Sequence, residues 1–375
     1  MLLHFCPVFF VLAAAPEHQG ESALLVCYKD GMPSGRAPTL EDVARVAGVS
    51  RATVSRVING IRNVDPQLHD VVWDAVGRTG YVPNRLARSL VTRRTGTVAL
   101  VVSDSESHDD DPFMSRFFAD PYFGRVVGGL MSVLRAQGVQ LALQIVGTED
   151  GRKRLVGDLR NGQADGAVIL SLPAIDPLPR MLTDEGVPAV LIGRPAEPVP
   201  INYVDLANET GATLAAEHLL ARGCKQVGMI SGPPEVPASS DRISGFRRSM
   251  AKHGHAWVPT VTGNFTQESG EAAMRTLLRD NPHLDGVFVA NDLMALGALL
   301  ALRDAGRRVP QDVAMVGFDD SSAAVAARPA LTTVRQPLED MAAEAARLLL
   351  ANIDDPDGRV SSVIYEPALI HRQSA

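Results

Sequence analysis
The amino-acid sequence predicts two folded units of different class, a small all-α head near the N-terminus and a larger doubly wound α/β body. Three observations carry that expectation. Residues Thr39 to Asn59, TLEDVARVAGVSRATVSRVIN, read as two short amphipathic helices around a glycine. From Thr97 onward, seven apolar runs alternate with helical patterns. Charge also divides between the regions: from Pro38 to Thr95 nine arginines stand against five acids, a net of +4, while the whole chain is −7 and the rest therefore carries −11. With 375 residues, 46% of them hydrophobic, there is core material for more than one domain, and nothing reads as repeated or low-complexity.

Residues 1–37 are expected to be an extension. LLHFCPVFFVLAAAP has the apolar run of a signal peptide but lacks its basic leader. The expected biological start is near Met32, with the upstream residues a disordered extension or a misassigned start.

In the head, residues 38–83, Thr39 is the expected N-cap of a first helix, with Asp42 giving a near-capping box and Leu40, Val43, Ala44 and Ala47 forming the buried face. Gly48 supplies the permissive backbone for a tight turn, and Ser50 caps a second helix whose inward side is Val54, Val57 and Ile58. Its outward side is Arg51, Ala52, Ser55, Arg56 and Asn59. A short, polar, basic face of this kind suits the recognition helix of a helix-turn-helix. Arg56 has the fork for bidentate bonding to a guanine, while Ser50, Thr53 and Asn59 suit phosphates. A third helix starts at Asp65-Pro66 and repeats Leu68, Val71, Val72, Ala75 and Val76 in one stripe up to Gly80, with Trp73 and Tyr81 at the edge of a small common core.

Residues 84–96 form the expected hinge and linker. Arg85 to Leu90 makes barely two helical turns, too short to be stable alone, and is expected to order only on DNA. The DNA-facing set on the head is then Thr39, Ser50, Arg51, Ala52, Thr53, Ser55, Arg56 and Asn59.

In the body, VALVVS, LALQIV, GAVILS, AVLIG, QVGMIS, GVFVA and VAMVGF are nearly continuous in apolar residues. Without the in-and-out alternation of a solvated antiparallel sheet, they are expected to be parallel strands covered on both faces. Segments 123–137, 208–222, 268–279 and 341–352 have helical spacing or composition. Ligands of such sheets bind beyond the carboxyl ends of the strands. There lie Asn291-Asp292 after GVFVA, Asp319-Asp320 after VAMVGF, and Arg242 in a long loop, Ser231 to Gly245, after QVGMIS. Amide, carboxylate and guanidinium groups with an aromatic face are what a polyhydroxylated ligand requires, and Tyr122, Phe123 and Phe265 are the candidate faces. Each also has a structural alternative, since a strand-end Asn or Asp serves as a helix cap and a Phe beside a strand as core. Asp292 is expected to be a cap.

Catalysis finds little support. GxSxG, Walker A and HExxH patterns are absent, and the nine histidines have no recurring spacing with a nucleophile. Cys6, Cys27 and Cys224 lack ligand-like spacing, which suits a reducing compartment and argues against a zinc site or disulfide framework.

TLEDVARVAGVSRATVSRVING, YVPNRLARSL and the sugar-receptor-like remainder resemble the LacI (lactose repressor/purine repressor) family of bacterial transcription regulators, over roughly residues 38 to 375. The resemblance implies a periplasmic-binding-protein-like effector-binding and dimerisation body of two doubly wound parallel-sheet lobes, residues 97–375. It implies that Arg51, Ala52, Ser55 and Arg56 enter the major groove, and that Leu90 is a wedge in the minor groove at a central CG step. The flanking Arg88, Arg93 and Arg94 fit that role. Through SDRISGF, VANDLMALGAL, VGFDD, GNFTQESG and DPYFGRVVGGL it implies effector contacts by Arg242, Asn291, Asp319, Phe265 and Phe123. No cofactor is implied beyond a small-molecule effector, a sugar by default, although purine-type ligands use the same body in related proteins. The implied partners are a pseudo-palindromic double-stranded operator and a second copy of the chain. A homodimer is expected because YEPALIHRQSA lacks the leucine heptads that the family's tetramers carry. The expected location is the cytoplasm, on the nucleoid, with no membrane association. One departure is the loop Ser105 to Ala119, longer and more acidic than the family commonly has, without the spacing of an EF-hand. The alternative function is a periplasmic-type sugar receptor, whose body would look much the same; the head discriminates, because a receptor has no use for Arg51 to Asn59.

Overall fold
The computed structural model describes residues 37–59, 64–82, 94–103, 120–171 and 175–375, in two compact units that divide between Thr95 and Gly96. The expectations for residues 1–36, for Arg85 to Leu90 with Arg88, and for the loop Ser105 to Ala119 lie outside the described residues.

The head contains α1 (Leu40–Ala47), α2 (Arg51–Ile58) and α3 (Pro66–Thr79). Thr39 donates to the Asp42 carboxylate from its N–H at 3.0 Å and from its hydroxyl at 2.9 Å, which ties the first turn of α1. The Thr39 N–H, with Arg45, holds the Asp42 carboxyl down at about 2. Gly48 ends α1 at φ 66°, a conformation that residues with a Cβ rarely adopt. Ser50 Oγ then accepts the Thr53 N–H at 3.1 Å and starts α2. Val43, Val54, Val57, Ile58, Val72 and Ala75 close the core, with Tyr81 packed at its edge. Leu68 and Val71 stay 37% and 44% exposed, although the periodicity put them in the buried stripe. The 14-residue α3 is longer than two eight-residue partners can cover.

The body begins with β1 (Thr97–Ser103), α4 (Pro121–Leu134), β2 (Gln140–Val146), α5 (Glu149–Arg160), β3 (Ala167–Ser171), α6 (Leu178–Asp184), β4 (Ala189–Ile192) and β5 (Asn202–Leu206). It continues with α7 (Asn208–Ala221), β6 (Val227–Ser231), α8 (Pro237–Lys252), β7 (Thr260–Thr262), α9 (Gln267–Asp280), β8 (Gly286–Val289), α10 (Asp292–Asp304), β9 (Ala314–Asp319), α11 (Ser322–Ala326) and β10 (Thr332–Arg335). It ends with α12 (Leu338–Asp354), β11 (Ser362–Tyr365) and β12 (Ala368–Ile370).

Two six-stranded sheets result, ordered β11-β5-β4-β3-β1-β2 and β12-β10-β9-β8-β6-β7. Every pairing is parallel except β10 with β12. The chain passes from one lobe to the other after β5, after β10 and between β11 and β12. Helix α12 thus returns to cover the first sheet against β3, β4 and β5, while α7 covers the second against β8, β9 and β10. All seven apolar runs are strands. Most are fully buried, as β1 and β8 show, but β2 is an edge strand and leaves Leu143 42% exposed. The expectation of full cover on both faces therefore fails for β2. Strands β5, β7, β10, β11 and β12 were not foreseen: NYVDL and TTVR mix polar residues into the run, and the other three are short or lie at sheet edges.

Candidate functional site
On the head, α2 presents Arg51, Ala52 and Arg56 fully exposed, with Thr53, Ser55 and Asn59 half-buried. Their interactions are local and weak. Thr53 Oγ1 lies 2.9 Å from Ser50 Oγ, Asn59 Nδ2 donates to Ser55 Oγ at 3.2 Å, and Arg51 pairs with Glu41 at 3.2 Å, a contact between two well-exposed side chains. Arg56 stands beside them on the same exposed face, so a cationic, hydrogen-bonding helix surface is displayed.

On the body, the candidate effector residues come from both lobes. Tyr122 and Phe123 lie in the first turn of α4, their rings edge to face at 5.5 Å. Phe123 belongs to the buried core, and Tyr122 packs half-buried against it. Burial raises the Tyr122 phenol above its usual range. The second lobe contributes Arg242, Phe265, Asn291 and Asp319. Arg242 is on helix α8 and not in the expected loop: the stretch after β6 turns helical at Pro237, a residue suited to the first helical position. It is 6% exposed, with Nε donating to Asn208 Oδ1 at 2.9 Å, Nη1 to the Ala290 carbonyl at 2.7 Å and Nη2 to Gln336 Oε1 at 3.2 Å. Its guanidinium lies 3.7 Å from the centroid of the Phe318 ring and 3.9 Å from Asp319 Oδ1. Burial pushes the Asp319 carboxyl well above its usual range, with Arg242 pulling the other way.

Asn291, not Asp292, is the N-cap of α10: its Oδ1 accepts the Met294 N–H at 2.9 Å and its Nδ2 donates to the Phe265 carbonyl at 3.0 Å. Asp292 is the first helical residue. It is fully buried and accepts from Ser321 N–H (2.8 Å), Ser321 Oγ (3.0 Å) and Thr333 Oγ1 (2.7 Å). Burial still lifts its carboxyl to about 6 against those donors. Among the described residues, the non-glycines with positive φ are Phe265 (68°), Asp319 (109°) and Asp320 (54°), all at the carboxyl end of the second sheet. A fold tolerates such conformations only where surrounding contacts enforce them.

Sequence reasoning missed Asn208, Asp205 and Gln336. The rule that found Asn291 and Asp319 applies equally to them, since Asp205 and Asn208 sit at the end of β5 and Gln336 just after β10. Those strands were not recognised, so their ends were not inspected. Also missed were Asp120, the N-cap of α4, and the pair Arg194–Asp241, 2.5 Å apart across the lobes. Burial raises the carboxyls of Asp120, Asp205 and Asp241.

A helix-turn-helix unit joined to a two-lobed α/β body with polar groups at its strand ends has the architecture of a ligand-responsive DNA-binding protein. Family profiles agree: "Bacterial regulatory proteins, lacI family" matches residues 39–84 and "Periplasmic binding protein-like domain" matches residues 216–375. The HTH-type transcriptional regulator CelR of Thermobifida fusca is 43% identical over 348 residues, covering 92% of this chain and 100% of that protein. The HTH-type transcriptional repressor PurR of Escherichia coli O1:K1 / APEC is 31% identical over 344 residues, covering 90% of this chain and 96% of PurR. Among solved structures, a CelR–cellobiose complex matches with TM-score 0.70 and 41% identity, covering 90% of this chain and 100% of that one. The lac repressor dimer bound to operator and the anti-inducer ONPF matches with TM-score 0.74 and 25% identity, covering 90% and 99%. This chain belongs to the LacI family of transcriptional regulators. It is a DNA-binding regulator and not an enzyme, and the match of the head sets aside the receptor alternative. Among the described residues, no helix is long and apolar enough to cross a membrane.

Proposed function
We propose that this chain is a cytoplasmic repressor that binds a pseudo-palindromic operator as a homodimer and changes its DNA affinity when a sugar of the cellobiose type enters the cleft between the lobes. The reading divides the chain into a head at 38–83, a hinge at 84–96 and an effector-binding body at 97–375. The observation that carries it is the joining of the exposed Arg51–Arg56 face to a body whose strained strand ends hold Arg242, Asp319, Asn291 and Phe265 together. The cellobiose found in the CelR complex supports the choice of sugar. Tyr122 and Phe265 offer ring faces to a pyranose, and Asp319, Asn291 and Arg242 offer acceptors and donors to its hydroxyls. The lac repressor dimer on operator supports the assembly. In this reading Thr39, Ser50, Thr53 and Asn59 contact phosphates, Arg51, Ala52, Ser55 and Arg56 face bases, and Arg88 and Leu90 enter the minor groove.

Linkage sets the mechanism. A ligand that prefers one arrangement of the lobes shifts the hinge, and operator affinity changes by the same differential free energy, typically ~1–3 kcal/mol or about 5- to 150-fold. Fluorescence anisotropy on genomic fragments at fixed salt, with and without cellobiose, glucose and hypoxanthine, tests the reading. Selective binding to one fragment that changes with cellobiose is the expected result, and Arg56→Ala should lose the selectivity while cellobiose binding persists. Equal, salt-erased binding to all fragments would overturn it.

A further inference from the structure
We propose that Arg125 is a positioning residue that clamps the two lobes together and holds the peptide of the cleft carboxylate Asp319. It stands on α4, one turn beyond Tyr122 and Phe123, with only 17% of its side chain exposed. Its Nε and Nη2 grip both oxygens of Glu339 at 2.7 Å, in the first turn of α12. Its Nη1 donates to the Asp319 carbonyl at 2.9 Å and Nη2 also to the Gln336 carbonyl at 2.9 Å. One guanidinium of the first lobe thus holds the end of β9 in the second lobe and the chain crossing between β10 and α12.

Three features make this more than an incidental ion pair. The Asp319 peptide it holds is strained, with φ 109°, and such a conformation persists only where neighbours enforce it. Gln336 joins the two arginines, accepting from Arg125 through its backbone carbonyl and from Arg242 through its side chain, so the guanidinium that faces Asp319 shares a partner with the one that holds Asp319 in place. The helices that carry Arg125 and Glu339 approach closely at Gly129, where a Cβ would lie 2.3 Å from the Glu339 carbonyl oxygen and 2.7 Å from Ala342 Cβ. Glu339 is therefore held by close packing within the first lobe, and the contacts that Arg125 makes beyond it are to the Asp319 and Gln336 carbonyls. A separate ion pair, Arg194–Asp241, joins the two lobes directly, with its arginine half exposed. A lysine cannot replace the fork, because a single ammonium cannot span two carbonyls and a bidentate carboxylate in one plane.

Hydrogen exchange on the ligand-free full-length chain tests the clamp independently of any effector. In Arg125→Met and Arg125→Lys, the amides of residues 317–321 and of Gln336, Leu338 and Glu339 should exchange at least tenfold faster than in wild type, while β1 and β3 stay within twofold. Glu339→Gln, which keeps the side chain's size, should give a smaller increase at the same residues. Unchanged exchange at 317–321 in Arg125→Met and Arg125→Lys, or an equal rise throughout the first lobe, would overturn the proposal. In the regulator reading the same variants should also weaken cellobiose binding about tenfold. If wild type ignores cellobiose, that reading of the effector fails while the exchange result still decides the clamp.

Discussion

Adding one methyl at Gly232 should displace the Phe265 ring. Gly232 follows β6, is buried, and has no positive φ, so alanine introduces steric conflict without backbone strain. Its Cβ would lie 2.2 Å from Phe265 Cζ, 2.4 Å from Cε1 and 3.0 Å from Cε2. The ring cannot retreat freely, because the Phe265 backbone is held at φ 68° with its carbonyl bonded to Asn291 Nδ2 at 3.0 Å. Overpacking of this size costs ~1–3 kcal/mol. At roughly 2–4 °C per kcal/mol for a body of this length, melting should fall by about 2–12 °C. If the ring also withdraws ~80 Å² of apolar face from a bound sugar, ~25 cal/mol per Å² gives about 2 kcal/mol, roughly 30-fold in Kd. Scanning calorimetry reads the first effect and titration with cellobiose the second. The double variant Gly232→Ala, Phe265→Leu should recover the melting temperature and not the affinity. An unaltered melting temperature in Gly232→Ala would refute the reasoning, since it would mean that the ring does not lie over this backbone.

Val54→Ala removes two buried methyls from a head core of seven buried hydrophobic residues among the described ones, so it should cost ~1–2 kcal/mol and abolish operator binding near the head's melting temperature, with the body's calorimetric transition unchanged. Asp319→Ala should keep ligand-free operator affinity within about twofold and remove the cellobiose response, ~1–3 kcal/mol of coupling, as read by anisotropy. Asp292 sets a pH dependence. Its folded carboxyl titrates near 6, above its usual 3.8, so its contribution is complete below about 4 and is lost as pH rises through about 6. Wild-type stability relative to Asp292→Asn should therefore grow by up to ~1.4 kcal/mol per unit as pH falls from about 6 to 4 in urea melts; a flat difference would count against the buried-proton assignment.

Much of the molecule was legible because it is locally encoded. The caps at Thr39, Ser50 and Asp65, the left-handed turn at Gly48 and the stripe Val54–Val57–Ile58 depend on residues within one or two turns of each other, and all are present. The seven apolar runs were legible because a strand covered on both faces must be apolar throughout. Asn291 and Asp319 could be picked out because they follow such runs, whereas Phe265 was marked by its aromatic side chain and by the family resemblance of GNFTQESG.

Strands β5 and β10 carry polar residues whose partners lie far along the chain, as Asn202 with Ser361 and Thr333 with Asp292, so the apolar signal that revealed the other strands is broken in them. The early residues 121–134 and the late residues 338–354 pack as neighbours in one lobe, a pairing that no window along the chain contains. The amino-acid order determined the class of each unit, its turns and half of the cleft's polar groups, since caps and hydrophobic periods act over a few residues. Only the tertiary structure decided which lobe each helix covers, that Arg242 rides on a helix, that Asn291 takes the cap from Asp292, and that Arg125 grips Asp319. Those outcomes come from contacts between segments up to 214 residues apart, whose partners become neighbours only when both sheets have formed.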